Sequence, residues 1–166
     1  MKTKIFCDSA DFKIIKKFNS DPLVSGFTTN PSLMRLSGAK NYKNYSLKLL
    51  SACKRKPISL EVFGDTFYQM VEQANVINSW GKNIYVKIPV LNSRGLFCGK
   101  AINILSNKGI KLNITAVYTV SQVKRILKYI NKNSKTIISI FSGRMADVGK
   151  DPIPIIKESV RLTKKL

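Results

Sequence analysis

The residue with the clearest chemical potential is a lysine near the end of an apolar run. Residues 84–89 read IYVKIP, which is typical of a buried strand that a proline brings to an end. Burial disfavours the charged form of Lys87, and a neutral amine is a nucleophile that can attack a carbonyl carbon. The alternative is a lysine whose stem packs on the core while its ammonium reaches solvent. Local sequence alone favours this alternative, so other residues must decide.

The composition removes several other chemistries. The chain has no histidine, which excludes Ser-His-Asp and Cys-His catalytic arrangements, histidine-ligated metals and imidazole proton shuttles. Cys7, Cys53 and Cys98 are widely spaced and form no CxxC pair, so we expect ordinary thiols rather than disulfides or a zinc site. Acids and bases must therefore be carboxylates, Lys, Tyr or Cys side chains, or bound water.

Length and hydropathy indicate a single globular domain, residues 1–166. The chain is 44% hydrophobic and 23% charged. No apolar run approaches the roughly 18 residues of a membrane span, and the first residues, MKTKIFCD, lack the hydrophobic stretch of a signal peptide. We therefore expect a cytoplasmic protein that does not enter a membrane.

The formal net charge of +20 raises the question of a nucleic-acid partner. Residues 73–146 contain no carboxylate and twelve Lys or Arg. The lysines of the chain are mostly scattered singly, however, with no dense run beyond Lys54-Arg55-Lys56, and no aromatic-interleaved RNA-binding motif accompanies them. We therefore do not expect nucleic-acid binding, and we favour attraction of a phosphorylated small molecule.

Strand-like apolar runs alternate with helix-like segments, a pattern typical of βα units and a parallel sheet. Strands are predicted at residues 4–7, 25–28, 58–62, 84–88, 112–115 and 136–141. Helices are predicted after Asp11, into Leu33, at 42–54, 65–80 and 95–108, from a Ser121 N-cap to Ile130, and at 154–166.

Polar residues follow the carboxyl end of every predicted strand. They are Asp8, Thr28, Thr29, Asn30, Glu61, Lys87, Asn113, Thr115, Ser139 and Arg144, with Phe141 beside the last. Each has a structural alternative, such as a helix cap for Asp8 or Asn30 and a surface cation for Arg144. Strand ends of a β/α barrel meet on its catalytic face, so their recurrence at six strands favours a shared site.

Five motifs, in this order, carry a family resemblance: FCDSA at 6–10, GFTTNPSL at 26–33, VKIP at 86–89, LNITAV at 112–117 and SIFSGR at 139–144. They resemble the successive motifs of the transaldolase family, which comprises transaldolases and fructose-6-phosphate aldolases. The resemblance implies the α/β class and a TIM-type (β/α) barrel of parallel strands. It extends over about six of the family's βα units, and nothing after Leu166 corresponds to the last two.

The resemblance also implies a mechanism centred on a lysine Schiff base. Lys87 matches the lysine whose amine attacks the ketone of a sugar phosphate. Asp8 matches the general acid/base that takes a proton from the hydroxyl of the departing aldehyde. Glu61 and Thr115 match the pair that holds a water for proton transfer. No metal or organic cofactor is needed, because the lysine is the electron sink.

The remaining matches concern substrate binding. Asn30 and Asn113 match side chains that bind the dihydroxyacetone hydroxyls, supported by Thr28 and Ser139. Arg144 matches a phosphate anchor, whose planar guanidinium can bind two phosphate oxygens. The implied partner is a phosphorylated sugar of the kind handled in the pentose phosphate pathway.

Two positions favour transfer of the three-carbon unit over its release. Fructose-6-phosphate aldolases carry Gln and Tyr where this chain has Glu61 and Phe141, the pair seen in transaldolases. Phe141 lacks a hydroxyl that could order water. The alternatives are aldolase-type cleavage to free dihydroxyacetone, and a catalytically inactive remnant or basic binding module.

A six-stranded sheet curved as in an eight-stranded barrel leaves its first and sixth strands with open edges. Apolar residues such as Ile5, Val86 and Ile138 are then expected to face water. We therefore expect a homo-oligomer, or association with a fragment that supplies further βα units. The alternatives are a closing helix around Ile155, Ile156 and Val160 that covers the gap, and aggregation with poor solubility.

Overall fold

The structure is a computed structural model and describes residues 3–164. Within them, each strand is followed by one or two helices, in the order β1 (Ile5–Asp8), α1 (Phe12–Asn19), β2 (Val24–Thr28), α2 (Pro31–Leu36), α3 (Tyr42–Ala52), β3 (Ile58–Glu61), α4 (Phe67–Ser79), β4 (Ile84–Pro89), α5 (Gly99–Asn107), β5 (Leu112–Val117), α6 (Val120–Tyr129), β6 (Thr136–Ile140), α7 (Ser142–Asp147) and α8 (Ile153–Thr163). The strands are parallel and hydrogen-bonded in chain order, β1 to β6. The α/β class and the six strands of an incomplete β/α barrel are confirmed.

The first of two compact units contains the described residues up to Val62 together with Asn75–Val86. It holds β1, β2, β3 and the first half of β4. Asp8 lies opposite Thr28 in the β1–β2 register, and Thr28 lies opposite Ser59 in the β2–β3 register. Apolar side chains such as Ile15, Phe27 and Leu49 are fully buried between the strands and the helices. The register therefore aligns the polar residues of neighbouring strands.

The second unit contains Phe63–Ala74 and the described residues from Lys87 onward. It holds the second half of β4, with β5 and β6. The Val90 amide donates to the Thr115 carbonyl over 2.9 Å, which continues the ladder from β4 to β5. Asn113 lies opposite Ile137 in the β5–β6 register. Ile102 of α5 and Ile126 of α6 are fully buried. None of the helices in the described chain is both long and apolar enough to cross a membrane.

Three helix starts differ from the predicted ones. Helix α5 begins at Gly99 rather than Gly95, because Leu91 and Phe97 form an antiparallel bridge across a turn. Helix α4 begins at Phe67 rather than residue 65. Helix α6 is capped by Thr119 and not by Ser121, since a capping box with Gln122 satisfies its first amides.

Helix α7 was not predicted, and Arg144 lies within it rather than at a strand end. Its six residues, SGRMAD, are too few to show helical periodicity. Helix α8 agrees with the predicted closing helix, although the predicted end at Leu166 lies outside the described residues.

The terminal strands of the sheet are more exposed than the central ones. Ile5 of β1 is 54% exposed and every residue of β6, including Ile138, is half-buried. The expectation that Val86 faces water is wrong, because it is fully buried. Successive strand residues point to opposite faces. Val86 therefore packs on the opposite face from Lys87, among apolar residues.

Strand β5 carries an irregularity directly after Thr115. The register with β6 shifts between Ile114 and Val117, and Ala116 has a φ of +58°. A non-glycine residue in this left-handed region is uncommon, and such bulges redirect the side chains that follow. The bulge lies within the last residues of β5, shortly before Tyr118, which begins the next loop.

We predict that Ala116→Gly raises the free energy of unfolding by about 1 kcal/mol, because glycine adopts a positive φ without the steric cost of a Cβ. Ala116→Val should lower it by at least as much. Urea denaturation measures both. Ala101→Gly, within α5, is the control and should destabilise by roughly 1 kcal/mol or more. A comparable loss for Ala116→Gly would contradict strain at this position.

Candidate active site

Lys87 lies in β4 with only 7% of its surface exposed. The covalent neighbours Val86 and Ile88 are fully buried on the opposite face of the strand. The lysine side chain as a whole is therefore largely removed from solvent, which favours the buried interpretation over the solvent-reaching one.

The strand next to Lys87 in the second unit presents buried polar side chains. Asn113 and Thr115 of β5 are 1% and 2% exposed. The Ser139 hydroxyl of β6 donates to Asn113 Oδ1 over 2.7 Å, which fixes the orientation of the amide. Because Oδ1 is the acceptor in this bond, Nδ2 is the atom through which the Asn113 side chain donates. This arrangement suits recognition of hydroxyl oxygens.

Thr115 is distinguished by a buried hydroxyl that accepts and donates no hydrogen bond among the described residues. Buried side-chain oxygens are nearly always paired in proteins. An orphaned hydroxyl on the same strand face as Asn113 is therefore a group that can bind a substrate atom or a water.

In the first unit, Asp8 and Thr28 form a direct pair. The Thr28 hydroxyl donates to Asp8 Oδ1 over 2.7 Å, and the two residues stand opposite each other at the carboxyl ends of β1 and β2. The alternative interpretation of Asp8 as a helix cap is wrong, because Asp11 caps α1 by accepting from the Ile14 amide. Asp8 is exposed, so its carboxylate is accessible for proton transfer.

Asn30 does act as a helix cap, as its structural alternative predicted. Its Oδ1 accepts from the Leu33 amide over 2.8 Å at the start of α2. This contact leaves the Nδ2 group as the donor that a ligand could use. The neighbouring Thr29 is structural: it is fully buried, and its hydroxyl donates to the Ser59 carbonyl over 2.9 Å.

Glu61 is held at the end of β3 by a tyrosine that the sequence did not single out. The Tyr42 hydroxyl donates to the Glu61 carbonyl over 2.8 Å and accepts from the Glu61 amide over 2.9 Å. Burial raises the pKa of Tyr42 above its ordinary value, so the hydroxyl stays protonated. Its ring packs against Trp80 at 6.1 Å between centroids. No sequence motif marks this pairing, because Tyr42 lies 19 residues away.

Phe141 and Arg144 follow β6 in the second unit. The Phe141 ring meets the Tyr118 ring edge-on, with centroids 5.7 Å apart. The Arg144 side chain is 75% exposed and lies 3.8 Å from Asp147 on the same helix. Such an exposed pair contributes little to stability. The guanidinium can therefore exchange this carboxylate for an anionic ligand.

The three cysteines are free thiols, as predicted. Burial raises the pKa of Cys53 to about 11, and burial with the charge of Asp65 raises that of Cys98 to about 11. Burial and the neighbouring Asp8 also raise the pKa of Cys7. None of these thiols is a ready nucleophile at neutral pH. The described residues contain no cluster of three His, Cys, Asp or Glu side chains suited to a metal ion.

The predicted site residues are thus divided between the two units. Asp8, Thr28, Asn30 and Glu61 belong to the first, and Lys87, Asn113, Thr115, Ser139, Phe141 and Arg144 belong to the second. The structure pairs Asp8 with Thr28 and Asn113 with Ser139.

Comparison with known proteins agrees with these features. Residues 5–166 match the sequence model of the Transaldolase/Fructose-6-phosphate aldolase family. A "Probable transaldolase" of Streptococcus equi subsp. zooepidemicus (strain MGCS10565) is 38% identical over 157 residues, which span 93% of this chain and 68% of that protein. One from Streptococcus pyogenes serotype M5 (strain Manfredo) is 39% identical with the same coverage. With the motifs matched along nearly its whole length, the chain belongs to the transaldolase/fructose-6-phosphate aldolase family.

Proposed function

We propose that this protein transfers a dihydroxyacetone unit between sugar phosphates through a Schiff base on Lys87. The observation that carries the proposal is the burial of the Lys87 side chain, 7% exposed, next to a strand with the buried polar residues Asn113 and Thr115. A buried lysine next to a strand whose side chains can bind hydroxyls and water meets the needs of carbonyl attack. The transaldolase names of the relatives support the same assignment.

The reaction begins when the Lys87 amine attacks the ketone carbon of the donor sugar. The carbinolamine loses water and becomes an iminium, which withdraws electrons from the adjacent carbon. Asp8 takes the proton from the hydroxyl on the fourth carbon, the bond between the third and fourth carbons breaks, and an aldehyde leaves. The enamine left on Lys87 attacks the acceptor aldehyde, and hydrolysis releases the new ketose.

Other residues orient these groups. The Thr28 hydroxyl holds one oxygen of Asp8. Glu61, fixed through its backbone by Tyr42, and the unpaired hydroxyl of Thr115 hold the water that carries protons. Asn113, fixed by Ser139, and the Nδ2 group of Asn30 bind the hydroxyls of the three-carbon unit.

Phe141 favours transfer over hydrolytic release. Its ring packs edge-on against Tyr118 and offers no hydroxyl to order a water near the enamine. Arg144 provides the charge for the substrate phosphate. The three free thiols agree with a reducing, cytoplasmic setting.

We predict that sodium borohydride, added with fructose 6-phosphate, attaches a three-carbon adduct to Lys87. Peptide mass spectrometry locates the adduct, since reduction turns the iminium into a stable amine. Lys87→Met should abolish it, while Lys124→Met, at an exposed lysine of α6, should not. Folded wild-type protein without an adduct would contradict the proposal, and DNA binding in that case would favour a basic binding module.

Asp8→Asn should still form the Schiff base, trapped by borohydride as an adduct of the whole six-carbon sugar phosphate, but lower the rate of carbon–carbon cleavage by about 10²- to 10⁴-fold, the usual contribution of a general acid/base. Single-turnover release of aldehyde measures the cleavage step. Asp11→Asn is the matched control, because asparagine also caps a helix and the charge change is the same. Normal turnover by Asp8→Asn would remove Asp8 from the mechanism. Turnover without an acceptor aldehyde would indicate aldolase-type cleavage.

We also propose that the chain associates through its edge strands. β6 ends the sheet, its residues are all half-buried, and β1 at the other end carries the 54% exposed Ile5. Open edges pair readily with other strands. Size-exclusion chromatography with light scattering should therefore show an oligomer, either of this chain or with a fragment that supplies further βα units. A cooperatively melting monomer would contradict association.

A further inference from the structure

An open cavity of about 450 Å³ lies in the second unit, beyond the ends of β5 and β6. Its lining residues come from the loop after β5 and from α7 and the turn that follows: Tyr118, Thr119, Arg144, Met145, Val148 and Lys150. A cavity of this volume lies within the range of small-molecule sites. Two cations line it, Arg144 and Lys150. Neither the sequence motifs nor the proposed reaction assigns a role to Lys150.

The turn after α7 brings Lys150 to the same cavity as Arg144. Gly149 has a φ of +72°, and its amide donates to the Ala146 carbonyl over 2.9 Å. The Lys150 amide donates to the Met145 carbonyl over 2.9 Å. These two bonds reverse the chain at a position that requires glycine. The backbone around Lys150 is therefore held in place.

The electrostatics of the cavity favour an anion with more than one charge. Arg144 and Lys150 both line it, and none of its lining residues in the described chain is acidic. The nearby carboxylate, Asp147, is 3.8 Å from Arg144 and 66% exposed. Since an exposed ion pair is weak, a phosphate dianion can displace Asp147 from the guanidinium.

The lining residues from the loop after β5 can hold the rest of a sugar. Tyr118 is positioned by the β5 bulge at Ala116 and by edge-on contact with Phe141. Thr119 Oγ1 accepts from the Gln122 amide, which leaves its hydroxyl proton to donate. A hydroxyl donor, an aromatic face and two cations together match a phosphorylated carbohydrate.

We propose that Lys150 is a second phosphate-binding cation, which holds the substrate phosphate together with Arg144. The inference rests on the proposed function, because it names how the phosphorylated substrate of that reaction is held. Arg144 binds two phosphate oxygens with its planar fork, and Lys150 adds a compact charge from the other end of the turn. Unphosphorylated sugars gain no binding affinity from Arg144 and Lys150, because they carry no anion.

Titration with inorganic phosphate at constant ionic strength, followed by ³¹P NMR, tests the site without any reaction at Lys87. Lys150→Gln should weaken phosphate binding about tenfold, as expected for the loss of one charge-assisted hydrogen bond. Arg144→Gln should weaken it at least as much. Lys157→Gln, at an exposed lysine of α8, makes the same change in net charge and should stay within about twofold of wild type. Three results would overturn the proposal. They are equal phosphate binding by Lys150→Gln and wild type, equal losses of affinity in Lys150→Gln and Lys157→Gln, and no phosphate binding by wild type.

Kinetics separate this inference from the proposed reaction. With fructose 6-phosphate, Lys150→Gln should raise KM about tenfold and change kcat little, because the phosphate is remote from the reacting carbons. Trapping of unphosphorylated dihydroxyacetone on Lys87 should not weaken, and equal losses with both compounds would mean that Lys150 is only structural. Failure of wild type to trap dihydroxyacetone counts against the Schiff base, while the phosphate titration still decides the role of Lys150.

Discussion

The structure depends on the burial of one lysine amine within an apolar strand. Moving an ammonium out of water is costly unless polar groups receive it or it loses its proton. Because strand residues alternate between faces, Val86 and Ile88 pack on one face of β4 and Lys87 lies on the other. The neighbouring strand β5 adds two buried polar residues, Asn113 and Thr115, at alternate positions on one face. Buried polar side chains such as Lys87, Asn113 and Thr115 stabilise a fold less than apolar ones would. They are well suited to carbonyl chemistry.

The same constraint explains how the supporting residues are arranged. The register pairs polar residues of neighbouring strands: Thr28 lies beside the exposed Asp8, and Ser139 reaches the buried Asn113. The exception is the unpaired hydroxyl of Thr115. It is followed at once by Ala116, whose left-handed backbone redirects the chain toward Tyr118. Strain and an unsatisfied group thus adjoin each other, as is common at functional sites.

Much of this arrangement could be predicted from the sequence, because strand periodicity and polar strand ends are local signals. The buried apolar runs located all six strands to within a few residues. Local signals could not decide which polar residue does what. Asn30 caps a helix, Asp8 does not, and Thr29 is a buried structural residue. These outcomes depend on contacts that the sequence does not encode locally.

Longer-range contacts were missed for the same reason. The hydroxyl of Tyr42 reaches the backbone of Glu61 from a different helix, and the bridge between Leu91 and Phe97 delays the start of α5. Val86 was expected to be exposed because the face to which it points depends on the pleat, and a one-residue error reverses that face. Helix α7 is too short to produce a periodic pattern, so the cavity near Lys150 had no sequence signature.

The central claim, that the Lys87 amine bonds to the substrate carbonyl carbon, is tested most directly by oxygen exchange. A Schiff base forms only if the carbonyl oxygen leaves as water, so dihydroxyacetone labelled with ¹⁸O at its ketone must lose the label to solvent. We expect wild-type protein to accelerate this loss well above the spontaneous rate, and Lys87→Met to return it to that rate. Equal rates for wild type and Lys87→Met would contradict the account.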